Sequence, residues 1–187
     1  IGLSGDRRKL DVGIVNGERF AAMAGTGFDA IMIRDTSDAA KKELGRLAYF
    51  RSSIKAIRAR SVRMRIRVDG RKWFKGKASC ALAGNLGRVT GGIPLFAGAT
   101  PFDGRLDVGV VTAKNIWQWA RVFFEVATGG SSGNEGVERT RAKKIDIKLQ
   151  KARRYEVDGS TRPKARRLRI RIDAGAVTVC VPKAGGG

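Results

Sequence analysis

Val62-Arg63-Met64-Arg65-Ile66-Arg67-Val68-Asp69-Gly70 decides the architecture of this chain. Apolar and basic residues alternate with a period of two, so Val62, Met64, Ile66 and Val68 point to one face and the three arginines to the other. Asp69-Gly70 is a tight-turn pair, and the segment after it carries Trp73 and continues towards Cys80 and Leu82. The stretch therefore predicts a β-hairpin with one buried and one solvated face.

The same grammar recurs on either side. Val12–Val15, Asn16-Gly17 and Arg19–Met23 predict another hairpin. Leu106–Val111, Ile145–Leu149, Tyr155–Val157, Leu168–Ile172 and Val177–Val181 predict further short strands. Two segments have helical spacing. One starts at the capping candidates Thr36, Ser37 and Asp38 and runs to about residue 60, with Leu44, Leu47, Ile54 and Ile57 on one face. The other spans 116–128. Residues 84–99 and 129–134 are glycine-rich loops. Many short strands joined by hairpin turns, with two helices inserted, predict a mainly β fold: a β-sandwich with two inserted α-helices, not a βαβ sheet.

Composition narrows the chemistry. The 187 residues carry a formal charge of +21 and contain no histidine. Histidine triads and histidine-ligated zinc are thereby excluded, and any catalysis falls to carboxylates, lysines, hydroxyls or a bound metal. The charge attracts anionic partners: lipid surfaces, phosphorylated ligands or nucleic acid. Cys80 and Cys180 both sit in apolar runs and are expected to be small buried hydrophobes. The start, Ile1-Gly2-Leu3-Ser4, has no initiator Met, which suggests a piece of a longer protein.

Three segments place glycine beside a carboxylate at a strand edge: Gly25-Thr26-Gly27-Phe28-Asp29, Asp103-Gly104-Arg105-Leu106-Asp107 and Glu156-Val157-Asp158-Gly159. Each can be read as an ordinary turn or as close strand packing. Each also has a functional reading. Asp103 with the carbonyls of Thr100 and Arg105 would suit a hard cation, with Asp107 beside it or facing solvent. Gly25 and Gly27 could line a phosphate or headgroup cleft with Asp29 at its rim. Asp158 could face a cleft at a strand end. The arginine faces 63/65/67 and 167/169/171 read as solvated surfaces or as a membrane-docking face.

Taken in order, these segments resemble a known family. Gly25–Ala30, Leu44-Gly45-Arg46-Leu47-Ala48-Tyr49, Gly84-Asn85, Asp103–Val108, Val157-Asp158-Gly159 and Val179-Cys180-Val181-Pro182 are similar to the C-terminal domain of the bacterial diacylglycerol kinases, a domain shared with sphingosine and ceramide kinases. The resemblance implies a β-sandwich over residues 11–182, a linker over 1–10 from an N-terminal ATP-binding domain, and a disordered tail over 183–187. It implies an ATP-dependent kinase, cytoplasmic and peripheral to the inner face of the membrane, that phosphorylates the hydroxyl of diacylglycerol or a related lipid.

By position, Thr100, Asp103 and Arg105 match a structural Mg²⁺ loop. Ser160 stands where the family carries its general-base Glu, leaving Asp158 or Glu156 to substitute. Substrate or phosphate candidates are Gly25, Gly27, Asp29, Lys41, Arg46 and Asn85. The implied cofactors are Mg²⁺ and ATP as co-substrate. The implied partners are a membrane lipid, the N-terminal domain and a second copy as homodimer, with no specific nucleic acid. The alternatives are a catalytically silent regulatory homologue and a basic β module that binds anionic membrane or nucleic acid. The isolated chain, lacking the Gly-Gly-Asp-Gly-Thr nucleotide loop, is expected to be inactive.

Overall fold

The computed structural model describes residues 5–27, 61–89, 93–94, 96, 98–112 and 136–181. All regular structure among them is β. The strands are β1 (Asp6–Val15), β2 (Glu18–Phe20), β3 (Met23–Thr26), β4 (Val62–Val68), β5 (Arg71–Ala78), β6 (Cys80–Gly84), β7 (Arg88–Val89), β8 (Ile93–Pro94), β9 (Leu106–Val111), β10 (Val137–Ala142), β11 (Lys144–Val157) and β12 (Ser160–Val181). Both predicted helices lie outside the described residues.

Ten strands form one antiparallel sheet whose main path runs β10-β9-β6-β3-β11-β12-β1-β2. Strand β11 is the branch point. Its first part, Ile145–Leu149, pairs with β4, which in turn pairs with β5; its last part, Tyr155–Val157, pairs with β3. Register shifts after Lys148 and Arg153 separate the two parts. Bulges of this kind bend a strand and let one ribbon serve two sheet halves. The two halves share one core, in which Met64, Ile66 and Ile147 from the β4 side join Leu106, Val108 and Val110 from the β9 side. That sandwich-like arrangement is the expected mainly β fold.

The period-two reading of residues 62–68 holds residue by residue. Val62, Met64 and Ile66 are buried while Arg63, Arg65 and Arg67 are exposed. Asn16, Asp69 and Asp158 have φ near +50° and each precedes a glycine with positive φ. Two left-handed residues in succession match the twist of a two-residue hairpin, which is why Asn-Gly and Asp-Gly recur at all three turns.

Several expectations need correction. Residues 145–149 and 155–157 belong to one strand, as do 168–172 and 177–181. A polar stretch divides the first pair and Gly175 divides the other, yet bulged pairing to neighbours carries both strands through. Strand β10 arises where no strand is expected, and the short pair β7–β8 lies inside the glycine-rich segment. Strand β1 begins at Asp6, within the expected linker, because Asp6–Leu10 pair with Val177–Val181. Cys80 is buried as expected, but Cys180 is exposed, on the ribbon that β12 forms with the start of β1.

Candidate functional site

Sheet order brings the scattered glycine–carboxylate segments together. Strands β9, β6, β3 and β11 are neighbours, and they carry Asp103–Val108, Gly84-Asn85, Gly25-Thr26-Gly27 and Tyr155–Gly159 respectively. One row across them reads Val108, Ala83, Ala24, Val157. The next reads Gly109, Leu82, Gly25, Glu156.

The two glycines of β3 and its end are packing devices here. A Cβ on Gly25 would lie 2.3 Å from the Ala81 carbonyl oxygen, and one on Gly27 would lie 2.0 Å from that of Ser79. Gly27 also has φ of +84°. Both let β3 lie against β6. Asp29, Lys41 and Arg46 lie outside the described residues.

Asp158 is a clamp. Its carboxylate accepts the N–H groups of Ala21 (2.7 Å), Ala22 (2.8 Å) and Met23 (2.9 Å). Its own N–H donates to the Met23 carbonyl. Asp69 acts in the same way, accepting from the N–H groups of Lys143 and Lys144. Ser160 follows Asp158-Gly159 as the first, exposed residue of β12. Two residues on, the Arg162 guanidinium grips Glu18 and holds that carboxyl below its usual range. Glu156, the penultimate residue of β11, is 5% exposed.

The Asp103 loop is held from behind by a residue that sequence reading missed. Asp11, 4% exposed, accepts the Gly104 N–H at 2.6 Å and the Gly175 N–H at 2.8 Å. Its main chain also donates to the Pro101 carbonyl and accepts from Asn85 Nδ2. The available signal was one carboxylate inside the apolar run Leu10-Asp11-Val12-Gly13-Ile14-Val15. Asn85 is buried at 1% exposure; its Nδ2 also donates to the Ala21 carbonyl, and its Oδ1 has no hydrogen-bond partner among the described residues. Asn85 thus links the Asp103 side of the site to the Asp158 side.

Asp103 itself is partly exposed. Its Oδ1 accepts the Arg105 N–H, and its Oδ2 pairs with the Arg141 guanidinium. Arg141 also stands 3.8 Å from Asp107, its register partner across β9 and β10. Burial pushes the Asp107 carboxyl up; Arg141 opposes this and Asp103 adds to it. A carboxylate flanked by main-chain carbonyls is suitable chemistry for Mg²⁺. The loop is fixed by Asp11, and both Asp103 oxygens already have partners, the Arg105 N–H and the Arg141 guanidinium, the latter a cation that any metal ion would have to displace. No group of three or more acidic or cysteine side chains suited to a metal occurs among the described residues.

Comparison with known proteins gives this arrangement a family. The domain described as the YegS C-terminal NAD kinase beta sandwich-like domain matches residues 22–181. The chain belongs to this family. The YegS-type domain is 25% identical over 158 residues to a diacylglycerol kinase of Bacillus subtilis, covering 84% of this chain and 52% of that protein. It is 28% identical over 177 residues to a probable lipid kinase YegS-like of Pseudomonas aeruginosa, covering 94% and 57%. A crystal structure of a putative diacylglycerol kinase from Bacillus anthracis shares the fold with a TM-score of 0.67 at 22% identity, over 95% of this chain and 57% of that one. The chain therefore spans little more than half the length of the relatives it matches.

Proposed function

We propose that this YegS-type domain is the C-terminal half of a lipid kinase of the diacylglycerol kinase class. The hydroxyl oxygen of a membrane lipid would attack the γ-phosphorus of ATP. The bond from that phosphorus to the β–γ bridging oxygen would break, ADP would leave, and the hydroxyl proton would pass to solvent. The observation that carries this reading is the family match across residues 22–181, with its marker segments side by side on four adjacent strands. The lipid-kinase names of the relatives point the same way.

Within that reading, the residues divide their work. Asp103, with the Thr100 and Arg105 carbonyls, would hold Mg²⁺, which when bound would offset carboxylate charge and brace the loop. Asp11 and Asn85 position that loop against residues 21–23. Asp158 is committed to three N–H groups and Ser160 is a neutral hydroxyl, so neither is suited to take the lipid proton near neutral pH. Phosphoryl transfer tolerates this, because positioning and charge neutralisation dominate its barrier. ATP would be held mainly by the N-terminal domain that the resemblance implies.

The test is phosphate transfer from radiolabelled ATP to diacylglycerol by the full-length protein, beside the 187-residue chain alone. Activity in the full-length protein only is the expected result; activity in the chain alone, or none in either, overturns the reading. Ser160 favours one rival, a catalytically silent regulatory homologue. Restoring the carboxylate with Ser160→Glu separates the two: a kinase gains turnover, whereas a silent homologue stays inactive.

A further inference from the structure

The outer face of the β5-β4-β11-β12 sheet is a lattice of positive charge. Its first register row reads Lys75, Arg65, Lys148, Arg167 on four successive strands. The second reads Lys72, Arg67, Asp146, Arg169. A third adds Lys144 beside Arg171. All of these basic residues are exposed, while Met64, Ile66, Ile147 and Leu168 beneath them are at most 1% exposed. The lattice is spaced at about 4.8 Å across strands and roughly 6.8 Å along them.

Like charges directly opposite each other destabilise a sheet. This face therefore carries an internal repulsion. Within the rows one acid, Asp146, opposes it, and Asp146 is already held by Arg167 through two bonds of 2.7 and 2.9 Å. A groove of about 860 Å³ opens on the same face, bordered by Asn16, Gly70, Arg67, Lys144, Arg169 and Arg171.

We infer that this face docks the protein onto the anionic phosphate surface of a phospholipid bilayer. The choice of a bilayer over nucleic acid rests on the lipid-kinase reading, since the lipid substrate is presented by a membrane. Two features of the face agree with that choice. The rows contain no aromatic residue to stack on bases. The sheet offers a broad plane of cations rather than a helix or ribbon to enter a DNA groove. Val177 is the exposed large hydrophobic among the described residues, and it lies outside these rows. Docking here is accordingly electrostatic, and it weakens as salt screens the charges.

The experiment is sedimentation of the full-length protein with phosphatidylcholine vesicles, with and without phosphatidylglycerol, near physiological salt. Wild type should bind only the phosphatidylglycerol vesicles. Each basic residue near an anionic surface contributes enough that removing and reversing two of them should weaken binding by on the order of 30-fold or more. Arg65→Glu/Arg169→Glu should show that loss. Arg7→Glu/Lys9→Glu, an equal charge change at the far end of β1, should stay close to wild type. Should the first variant not fold by circular dichroism, Arg65→Gln/Arg169→Gln replaces it with a smaller loss in the same direction. Equal losses in both pairs, no preference for phosphatidylglycerol, or tighter binding to duplex DNA at the same salt overturns the inference. Kinase activity on diacylglycerol in neutral detergent micelles reports separately: its absence in wild type defeats the kinase reading, while vesicle binding still judges the face.

Discussion

The buried carboxylate of Asp11 and the N–H of Gly104 meet at 2.6 Å, tying the centre of β1 to the loop that presents Asp103. The other Asp11 oxygen takes the Gly175 N–H, so one side chain fixes a surface loop and a bulge of β12 together. Loss of the acceptor leaves these part-buried donors unsatisfied, at a cost of about 1–3 kcal/mol each where water does not replace it. Asp11→Ala should therefore lower unfolding stability by about 3 kcal/mol in a denaturant titration, and Asp11→Asn, which keeps one acceptor oxygen, by roughly half that. The same variants should speed tryptic cleavage after Arg105. Unchanged stability and cleavage would remove Asp11 from its positioning role.

Asp158 and Ser160 separate scaffold from chemistry. Asp158→Ala removes the acceptor for three main-chain donors and also places a residue with Cβ and no local hydrogen bond at φ +47°. It should cost about 2–3 kcal/mol, because charge-assisted bonds are the stronger kind. Ser160→Ala, at an exposed position, should change stability by no more than about 0.5 kcal/mol. Equal effects in thermal melts would refute the clamp.

Glycine positions in this chain are required for different reasons, and substitutions should grade them. Gly27→Ala adds both a Cβ 2.0 Å from the Ser79 carbonyl and a left-handed alanine. The expected loss is roughly 3 kcal/mol or more. Gly17→Ala meets no atom within 4 Å, and its only penalty is the φ of +94°. That conformation costs alanine about 1 kcal/mol. Denaturation midpoints for the two variants give the comparison, and similar values would show that close packing of β3 on β6 is not the constraint.

How far the residues alone reveal this protein follows from which forces are local. The hairpin over 62–78 is legible because alternation and Asp-Gly chemistry are properties of adjacent residues. Strand β10 is not, since Val137-Glu138-Arg139-Thr140-Arg141-Ala142 has little apolar pattern and exists through its pairing with β9. The gathering of the marker segments is foreshadowed only through family resemblance. The use of Asp158 is hidden, because Ala21–Met23 reach it from 135 or more positions away. Asp69 and Asp158 are alike in sequence and alike in structure, each a turn residue whose carboxylate latches a distant main chain.

Two aspartates should respond to pH in opposite senses. Arg167 holds the Asp146 carboxyl below its usual range through a two-pronged bond. A lowered native pKa stabilises the fold above the unfolded value, and that contribution is lost as pH falls through the native one. Asp107 is pushed up, first by burial. Its native state therefore prefers the proton, and stability declines as pH rises from the ordinary aspartate range through the raised value. Asp107→Asn should abolish that decline, and Asp146→Asn should flatten the acid-side loss, each by less than about 1 kcal/mol since both sites are partly solvated. Denaturant stability between acid and neutral pH measures both. A decline in the wild type that Asp107→Asn leaves intact would contradict the assignment.

Under the proposed function, Mg²⁺ would have to compete with Arg141 for the Asp103 carboxylate. Arg141 pairs with Asp103 and stands near Asp107, so the structure already supplies a positive charge where the proposed cation loop would put another. A guanidinium cannot be deprotonated near neutral pH, so only displacement frees the oxygen. Arg141→Gln should therefore leave the fold dependent on added Mg²⁺: its melting temperature should fall in chelator and recover with the ion by several degrees, as about 1 kcal/mol does for a domain of this size. Wild type should move less, and Asp103→Ala should not respond at all. Melting curves recorded with chelator, Mg²⁺ and Ca²⁺ decide the matter, and an Arg141→Gln protein indifferent to all three would show that the loop holds no cation.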